Sequence, residues 1–199
     1  MTHPCHDSAF WWIVGDCLGF RRASGTAKSG KQYKFASELR HDNILLYPQQ
    51  LELFCSKGFA LWDVVKDCER KGSLDRDIKM EVANDIVGFC ERHPQIQRIV
   101  LANGGTGCSM FLKHFQKWWL DGALQPGENE ESKRAFGRVD KRVTHRAAKP
   151  ISCISAISVS PAAANYSYQK KRDFWELHVY QPGLKLHQEL KAQADSHDR

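Results

Sequence analysis

Helical spacing marks the first apolar run of the chain. Phe10, Ile13, Val14 and Cys17 fall on one face of a helix over 9–18. Asp7 or Ser8 stands where its N-cap belongs, and Gly19 where it stops. Pro48 opens a second helix over 49–56, ended by Lys57-Gly58. A third is capped by Asn84-Asp85, turns Ile86, Val87, Phe89 and Cys90 inward, and ends at His93-Pro94. Residues 98–102 (RIVLA) form a short, mostly apolar run between turn signals, the mark of a buried strand in a parallel sheet. Asn103-Gly104-Gly105-Thr106-Gly107 then turns into a helix over 108–119. Residues 151–157 (ISCISAI) read as a second buried strand, and a further helix over 168–179 carries Phe174, Trp175 and Leu177. Strand, glycine-rich turn and helix in this order predict an α/β fold.

Four stretches lack a clear period. Residues 58–78 (GFALWDVVKDCERKGSLDRDI) start as an apolar run, take an acid at Asp63, resume with Val64-Val65, and end in a turn with two more acids and a hydroxyl. An acid inside an apolar run is costly to bury, so it faces solvent or is kept for a task. Two readings stand: a short buried segment opening into a polar pocket loop, or an amphipathic helix over 61–70 with Asp63 on its wet face. Residues 21–42 are basic and rich in Gly and Ser, the pattern of an exposed loop or insertion. Residues 122–149 are charged, contain Pro126-Gly127, and read as a second insertion or a partly disordered segment. Residues 185–199 form a polar tail expected to fray, which leaves 1–184 as one domain.

Composition narrows the class. At 199 residues and 42% hydrophobic content the chain can bury one sizeable core. A net charge of +6 is compatible with a polyanionic partner. Seven Cys, an odd number with no CxxC pair, fit reduced thiols in the nucleus or cytoplasm better than a disulfide framework. No apolar run approaches the ~20 residues of a membrane span, and the first residues resemble neither a signal nor a transit peptide.

Three places hold candidate chemistry. His6, Asp7 and Ser8 precede a helix, where the positive terminus favours anions. His3, Cys5 and His6 are possible metal ligands, but no second pair at zinc spacing joins them, so a polar loop is the expectation and no metal is assigned. The turn 103–107 offers backbone N–H groups to a ligand, without the Lys of a phosphate-binding loop and without GxGxxG; glycines for close packing explain it equally. Ser158-Val159-Ser160-Pro161-Ala162 ends the second strand with small residues, which permit close approach of a backbone or ligand at the edge where α/β sheets bind.

These stretches together resemble the uracil-DNA glycosylase superfamily, most closely its hypoxanthine-DNA glycosylase and mismatch-specific branch. Gly58-Phe59-Ala60-Leu61-Trp62-Asp63-Val64, with the later Gly72-Ser73-Leu74-Asp75-Arg76-Asp77-Ile78, is similar to that branch's base-pocket segment and its GSLDxDI turn. Asn84-Asp85 resembles the next helix cap, Leu101-Ala102-Asn103-Gly104 a strand ending in Asn-Gly, and residues 158–162 the S-x-S-P-A loop that enters the minor groove. His3-Pro4 and Ala9-Phe10-Trp11 look like the family's HPxNxFW stretch. Three departures stand out. The family's first strand and its Gly-x-x-Pro loop would precede Met1, the motif's Asn is replaced by Asp7 or Ser8, and Ile157 stands where Pro is usual.

The resemblance implies a three-layer α/β/α fold with a short, mostly parallel central sheet lacking the first strand. It implies a monofunctional DNA N-glycosylase of base excision repair, which flips uracil or hypoxanthine from DNA and releases it by hydrolysis, without a cofactor and as a monomer. Asp7 would orient water or stabilise the sugar cation, with Ser8 next in line. Phe10, Trp11, Trp62, Asp63 and Asn103 would form the base pocket. Ser73, Ser158, Ser160 and Pro161 would contact the DNA backbone and wedge the duplex, and Lys170, Lys171 and Arg172 would hold phosphates. Two other readings are a catalytically inactive DNA-binding member of the same family and a nucleotide-binding α/β protein using residues 103–107.

Overall fold

The computed structural model describes residues 8–22, 35–70, 78–161 and 163–197. It is a mixed α/β protein with small, mostly parallel sheets. Helix α1 (Phe10–Leu18) is the first core element. Its sequence is apolar nearly all round, so it buries Trp11, Trp12, Ile13 and Val14 together rather than a single stripe. It ends at Gly19, whose φ of 92° suits a residue without Cβ and whose N–H returns to the Gly15 carbonyl.

Residues 21–42 are not simply an exposed loop. Strand β1 (Arg21–Arg22) pairs in parallel with β2 (Ile44–Leu45), and Phe35 stacks on Tyr168 with ring centroids 4.3 Å apart. Residues 23–34 lie outside the described residues. Helix α2 (Tyr47–Ser56) has Pro48 in its first turn, and the Gln49 side chain reaches back to accept from the Leu46 N–H at 2.8 Å.

The stretch after α2 differs from both expectations. It forms neither a helix nor a buried segment. Residues 59–63 run without regular structure over the surface, and β3 (Val65–Arg70) pairs antiparallel with β4 (Ile78–Ala83). Apolar positions 61, 62, 64, 65 and 68 do fit a helical stripe. The β-branched pair Val64-Val65 and a partner strand carrying Ile78 and Val82 favour the extended state once the two segments meet. Helix α3 (Ile86–Arg92) follows, with the Asp85 carboxylate accepting from the Gly88 N–H at 3.0 Å.

The main sheet is parallel, in the order β5 (Arg98–Leu101), β7 (Ile151–Ser155), β6 (Leu124–Pro126). Between β5 and β6 runs α4 (Gly104–Leu120), and between β6 and β7 runs α5 (Glu130–Asp140). Residues 122–149 are therefore no insertion: they supply a strand of the sheet and a helix packed on it. Ser132, Phe136 and Val139 of α5 are buried at helical spacing, and Asn129 caps the helix by accepting from the Ser132 N–H at 2.7 Å.

Side chains alternate across β7. Cys153 joins an apolar cluster with Leu101, Phe111, Trp119, Leu124 and Phe136. Ile154 joins another with Trp11, Ile13, Val14, Phe54 and Trp175. The central strand thus feeds two cores at once.

Helix α6 (Tyr168–Trp175) passes through a π-helical turn (Glu176–Tyr180) into α7 (Gln181–His197). The expected frayed tail is helical through His197, and a Cβ placed on Gly58 would fall 2.5 Å from the His187 ring. Pro182 has no N–H to offer the His178 carbonyl four residues earlier. The Arg98 guanidinium supplies the missing donor, at 2.7 Å, from the start of β5.

Burial raises several thiols. Cys17 is pushed up to about 12, and Cys90, Cys108 and Cys153 are raised for the same reason. In the unfolded chain these groups lose protons near 9, while the folded chain keeps them. Above that pH the unfolded state binds fewer protons, so stability is full below about pH 9 and falls as pH rises. Cys17, held protonated up to about 12, accounts for a loss of about 1.4 kcal/mol per pH unit between pH 9 and that value. Urea midpoints near pH 8 and near pH 10 should differ clearly; an unmoved midpoint would show that these thiols are not held protonated.

Candidate functional site

Parallel strands β5 and β7 end at the same sheet edge, and the chain leaves each in a tight turn. From β5 it passes Ala102 to Asn103, which opens α4 without giving its side chain to the helix as a cap. The Asn103 amide is exposed, and Gly104 has a φ of 55°, a conformation suited to glycine. A Cβ at Gly104 would sit 3.6 Å from the Ala156 carbonyl and 3.7 Å from the Ser158 nitrogen, so this turn lies against the segment leaving β7.

That segment, 156–161, is held from several sides. The Ala156 N–H continues the ladder to the Leu101 carbonyl at 3.1 Å. The Trp175 indole N–H donates to the Ile157 carbonyl at 2.9 Å, and the Lys171 ammonium donates to the Ser160 carbonyl at 2.9 Å. The Ala9 N–H, at the start of α1, donates to the Val159 carbonyl at 3.0 Å. Ala156, Ile157 and Val159 are buried, while Ser158 and Ser160 are half-buried and Pro161 is exposed. The Ser158 hydroxyl accepts from the Ser160 N–H at 3.2 Å, which tightens the turn. Ser8 arrives beside this loop with α1, its hydroxyl accepting from the Phe10 N–H at 3.3 Å. The edge thus gathers Ser8, Asn103, Ser158, Ser160 and Pro161 from three distant parts of the sequence. Its described polar groups are hydroxyls, an amide and backbone atoms, which suit hydrogen bonding to a neutral ring or a phosphate.

The other expected site residues are placed differently. Trp11 is buried, and Phe10 packs among Trp11, Phe54 and Trp175 with centroids 5.3 to 6.3 Å away, so both belong to the core. Trp11 has no free face to offer a base, while Phe10 is half-buried. Trp62 is half exposed and packs edge-on against Phe89 of α3, while Asp63 is exposed and its carbonyl accepts from the Asn84 amide at 2.7 Å. They stand beside α3, on the approach to the β3–β4 hairpin.

Of the three expected phosphate contacts, Lys170 is exposed, its ammonium 5.2 Å from the Tyr166 ring centre. Lys171 is buried, and that burial lowers its pKa. Arg172 is buried too, donating to the Asp16 carboxylate at 3.3 Å and to the Glu38 carbonyl at 3.0 Å. Burial works against its charge, but its hydrogen bonds to the Asp16 and Asp173 carboxylates outweigh that and raise its pKa. Lys171 and Arg172 therefore organise the protein rather than face a polyanion. Asp7 and Ser73, with His3, Cys5, His6 and Ala162, lie outside the described residues.

Sequence reading missed the pinning role of Lys171 and Trp175, whose spacing in α6 gives no sign of the carbonyls they reach. It also missed a groove of about 630 Å³ beside the first turns of α4, lined by Thr106, Ser109, Lys113 and Glu81. A hydrogen bond from Lys113 holds the Glu81 carboxyl below its usual range. The polar stripe Thr106, Ser109, Lys113 after the glycine turn was the available signal.

Among the described residues no group of three or more His, Cys, Asp or Glu is arranged to hold a metal ion, and no helix is long and apolar enough to cross a membrane. No family model, no curated protein and no solved structure matches this chain.

Proposed function

We propose that the chain is a monofunctional DNA glycosylase that flips a deaminated base, uracil or hypoxanthine, from DNA and releases it by hydrolysis in base excision repair. In this reading the sheet and its helices form a three-layer α/β/α frame, and the protein works as a monomer in the nucleus or cytoplasm. One observation carries the proposal. The start of α1, the Asn103-Gly104 turn and the Ser158–Pro161 loop, which separately resemble three motifs of one glycosylase superfamily, meet at the carboxyl edge of the parallel sheet.

The chemistry follows from the groups present. Flipping a base costs a few kcal/mol, so the protein must hold both the flipped base and the gap it leaves. The Asn103 amide can donate and accept at once, which matches the C=O and N–H edge shared by uracil and hypoxanthine. Ser158, Ser160 and Pro161, on a loop already fixed by Trp175, Lys171 and Ala9, would enter the duplex at little entropic cost. Ser8 would orient the attacking water, together with Asp7 as its neighbour in the chain. A second reading, an inactive DNA-binding member of the same family, is favoured by the sequence, in which Asp7 or Ser8 replaces the Asn of the motif.

The test is base release from duplexes carrying uracil or hypoxanthine, read by alkaline cleavage at the abasic site. Release by the parent protein, lowered at least tenfold in Asn103→Ala with duplex binding retained, is the expected result. Binding that weakens steeply with salt but without any release would favour the inactive binder. Neither release nor salt-sensitive binding would remove DNA from the proposal altogether.

A further inference from the structure

Residues 133–149 hold seven Lys and Arg and one acid, Asp140, so this stretch carries the whole +6 of the chain and the rest balances to zero. Helix α5 within it is two-sided. Ser132, Phe136 and Val139 are buried, and Val143 packs on the same apolar cluster. Arg134, Gly137, Arg138, Lys141, Arg142 and His145 follow the opposite helical stripe, all exposed but the glycine. The stripe continues through the turn after α5, where the Arg142 N–H donates to the Val139 carbonyl at 3.0 Å. The single acid is engaged within the protein: Asp140 accepts from the Arg146 guanidinium at 2.7 Å and from the Trp119 indole N–H at 3.3 Å. Nearby acids are also held. Glu130, in the first turn of α5 with Glu131, accepts from Lys133 at 2.7 Å and feels Arg134, and Asp121 at the end of α4 accepts from Lys117 at 2.7 Å. Among the described residues Arg138, Lys141, Arg142 and Lys149 make no side-chain hydrogen bond or ion pair.

We infer that this face of α5 and the turn 141–149 hold the phosphate backbone of duplex DNA, and of a segment other than the one at the carboxyl edge. The inference rests on the glycosylase reading only for that first segment. A helix dipole favours cations in the last turn, but its effect fades there, whereas these cations continue to Lys149. Gly137 supports a close approach. Glycine weakens a helix interior, and a Cβ at Gly137 would meet nothing within 4 Å, so packing does not require it. Guanidinium forks match phosphate oxygens in pairs. The face lacks an aromatic ring for single-stranded bases, since Phe136, the one aromatic residue of 133–149, is buried. It also exposes no large apolar side chain to enter a lipid surface. The turn packs where the strands begin: the Ala147 N–H donates to the Gly122 carbonyl at 3.0 Å and the Ile151 N–H to the Ala123 carbonyl at 2.8 Å. The edge loop leaves the other end of β7. Duplex DNA, with a persistence length of about 50 nm, does not fold round a five-residue strand to reach both ends.

The experiment fixes a paired duplex to beads and adds the protein with a second, labelled duplex. The parent should retain the label, less so as salt rises. The triple variant Arg138→Gln, Lys141→Gln, Arg142→Gln should retain about tenfold less. A control with Lys57→Gln, Lys66→Gln and Lys185→Gln removes the same charge from exposed positions elsewhere and should retain as much as the parent. Thermal melting followed by tryptophan fluorescence shows whether each variant is folded. Base release from a uracil duplex, with protein in excess, should be equal in parent and triple variant, because the edge loop lies at the other end of the sheet. Release by a parent that retains no label overturns the inference alone. Equal retention by parent and triple variant overturns it, as does an equal loss in the triple variant and the control. Phosphatidylserine vesicles that displace the label at equal phosphate would assign the face to a lipid surface and overturn it too. Retention lost only in the triple variant, without base release from any duplex, supports the face while removing the enzyme. No binding to any duplex overturns both.

Discussion

Asp16→Ala is expected to cost the protein about 3–5 kcal/mol of stability, a third or more of a typical domain's total. Asp16 is 4% exposed, in the middle of an otherwise apolar helix. Its carboxylate accepts from the Tyr168 hydroxyl at 3.1 Å, the Arg172 guanidinium at 3.3 Å and the Arg40 N–H at 2.9 Å. Truncation would leave the buried Arg172 guanidinium with only the Glu38 carbonyl and the exposed Asp173 carboxylate as partners, which is where the cost arises. Asp16→Leu combined with Arg172→Met should be far milder, because it removes both charges and refills the space. Urea unfolding followed by tryptophan fluorescence measures both. A loss below about 1 kcal/mol in Asp16→Ala would mean that the cluster is wetter than the structure has it. On the glycosylase reading proposed above, duplex binding should fall with stability. The cluster ties α1 to α6, and α6 carries the Lys171 and Trp175 donors that hold the edge loop.

The parts of this fold that could be read in the sequence are those whose local signals agree with their burial. Helix α1, strands β5 and β7 and the capped helix α3 each pair an unbroken apolar period with a cap or a turn residue, and tertiary contacts only deepen them. Where local and tertiary preferences compete, the reading fails. Val64-Val65 carry a helical stripe but pair with Ile78–Ala83, a partner no local window contains. Strand β6 is three residues with a proline, too short to show any period, and its place is set by pairing with β7. The site divides in the same way. The Asn103-Gly104 turn and the Ser158–Pro161 loop are legible because strand ends with small residues advertise an edge. Lys171 and Arg172 are not, because a basic run reads as surface until the carbonyl of Ser160 and the carboxylate of Asp16 are seen beside it.

Phe136→Ala should likewise cost about 3–5 kcal/mol. Residues 122–149, charged and aperiodic at first sight, have two opposed descriptions with different energetics. In a surface insertion a truncated aromatic changes stability by about 0.5 kcal/mol at most. In the structure Phe136 is fully buried on α5 and stacks on Trp119 of α4, ring centroids 4.6 Å apart, so its loss opens a cavity between two helices and the sheet. Lys133→Ala on the same helix is the control: Lys133 is exposed and its ion pair with Glu130 is on the surface, so it should lie within about 0.5 kcal/mol of the parent. Equal, small effects of the two substitutions would return the segment to the status of an insertion. A large difference has a consequence for the site as well. Ser132, one turn before Phe136, accepts from the Ser155 N–H at 2.8 Å, at the last residue of β7. The next residue, Ala156, begins the edge loop. Loosening α5 therefore frees the strand end on which Ser158, Ser160 and Pro161 are mounted. Amide exchange at Ser155 and Ala156 should accelerate in Phe136→Ala while exchange in α1 keeps pace only with the global loss.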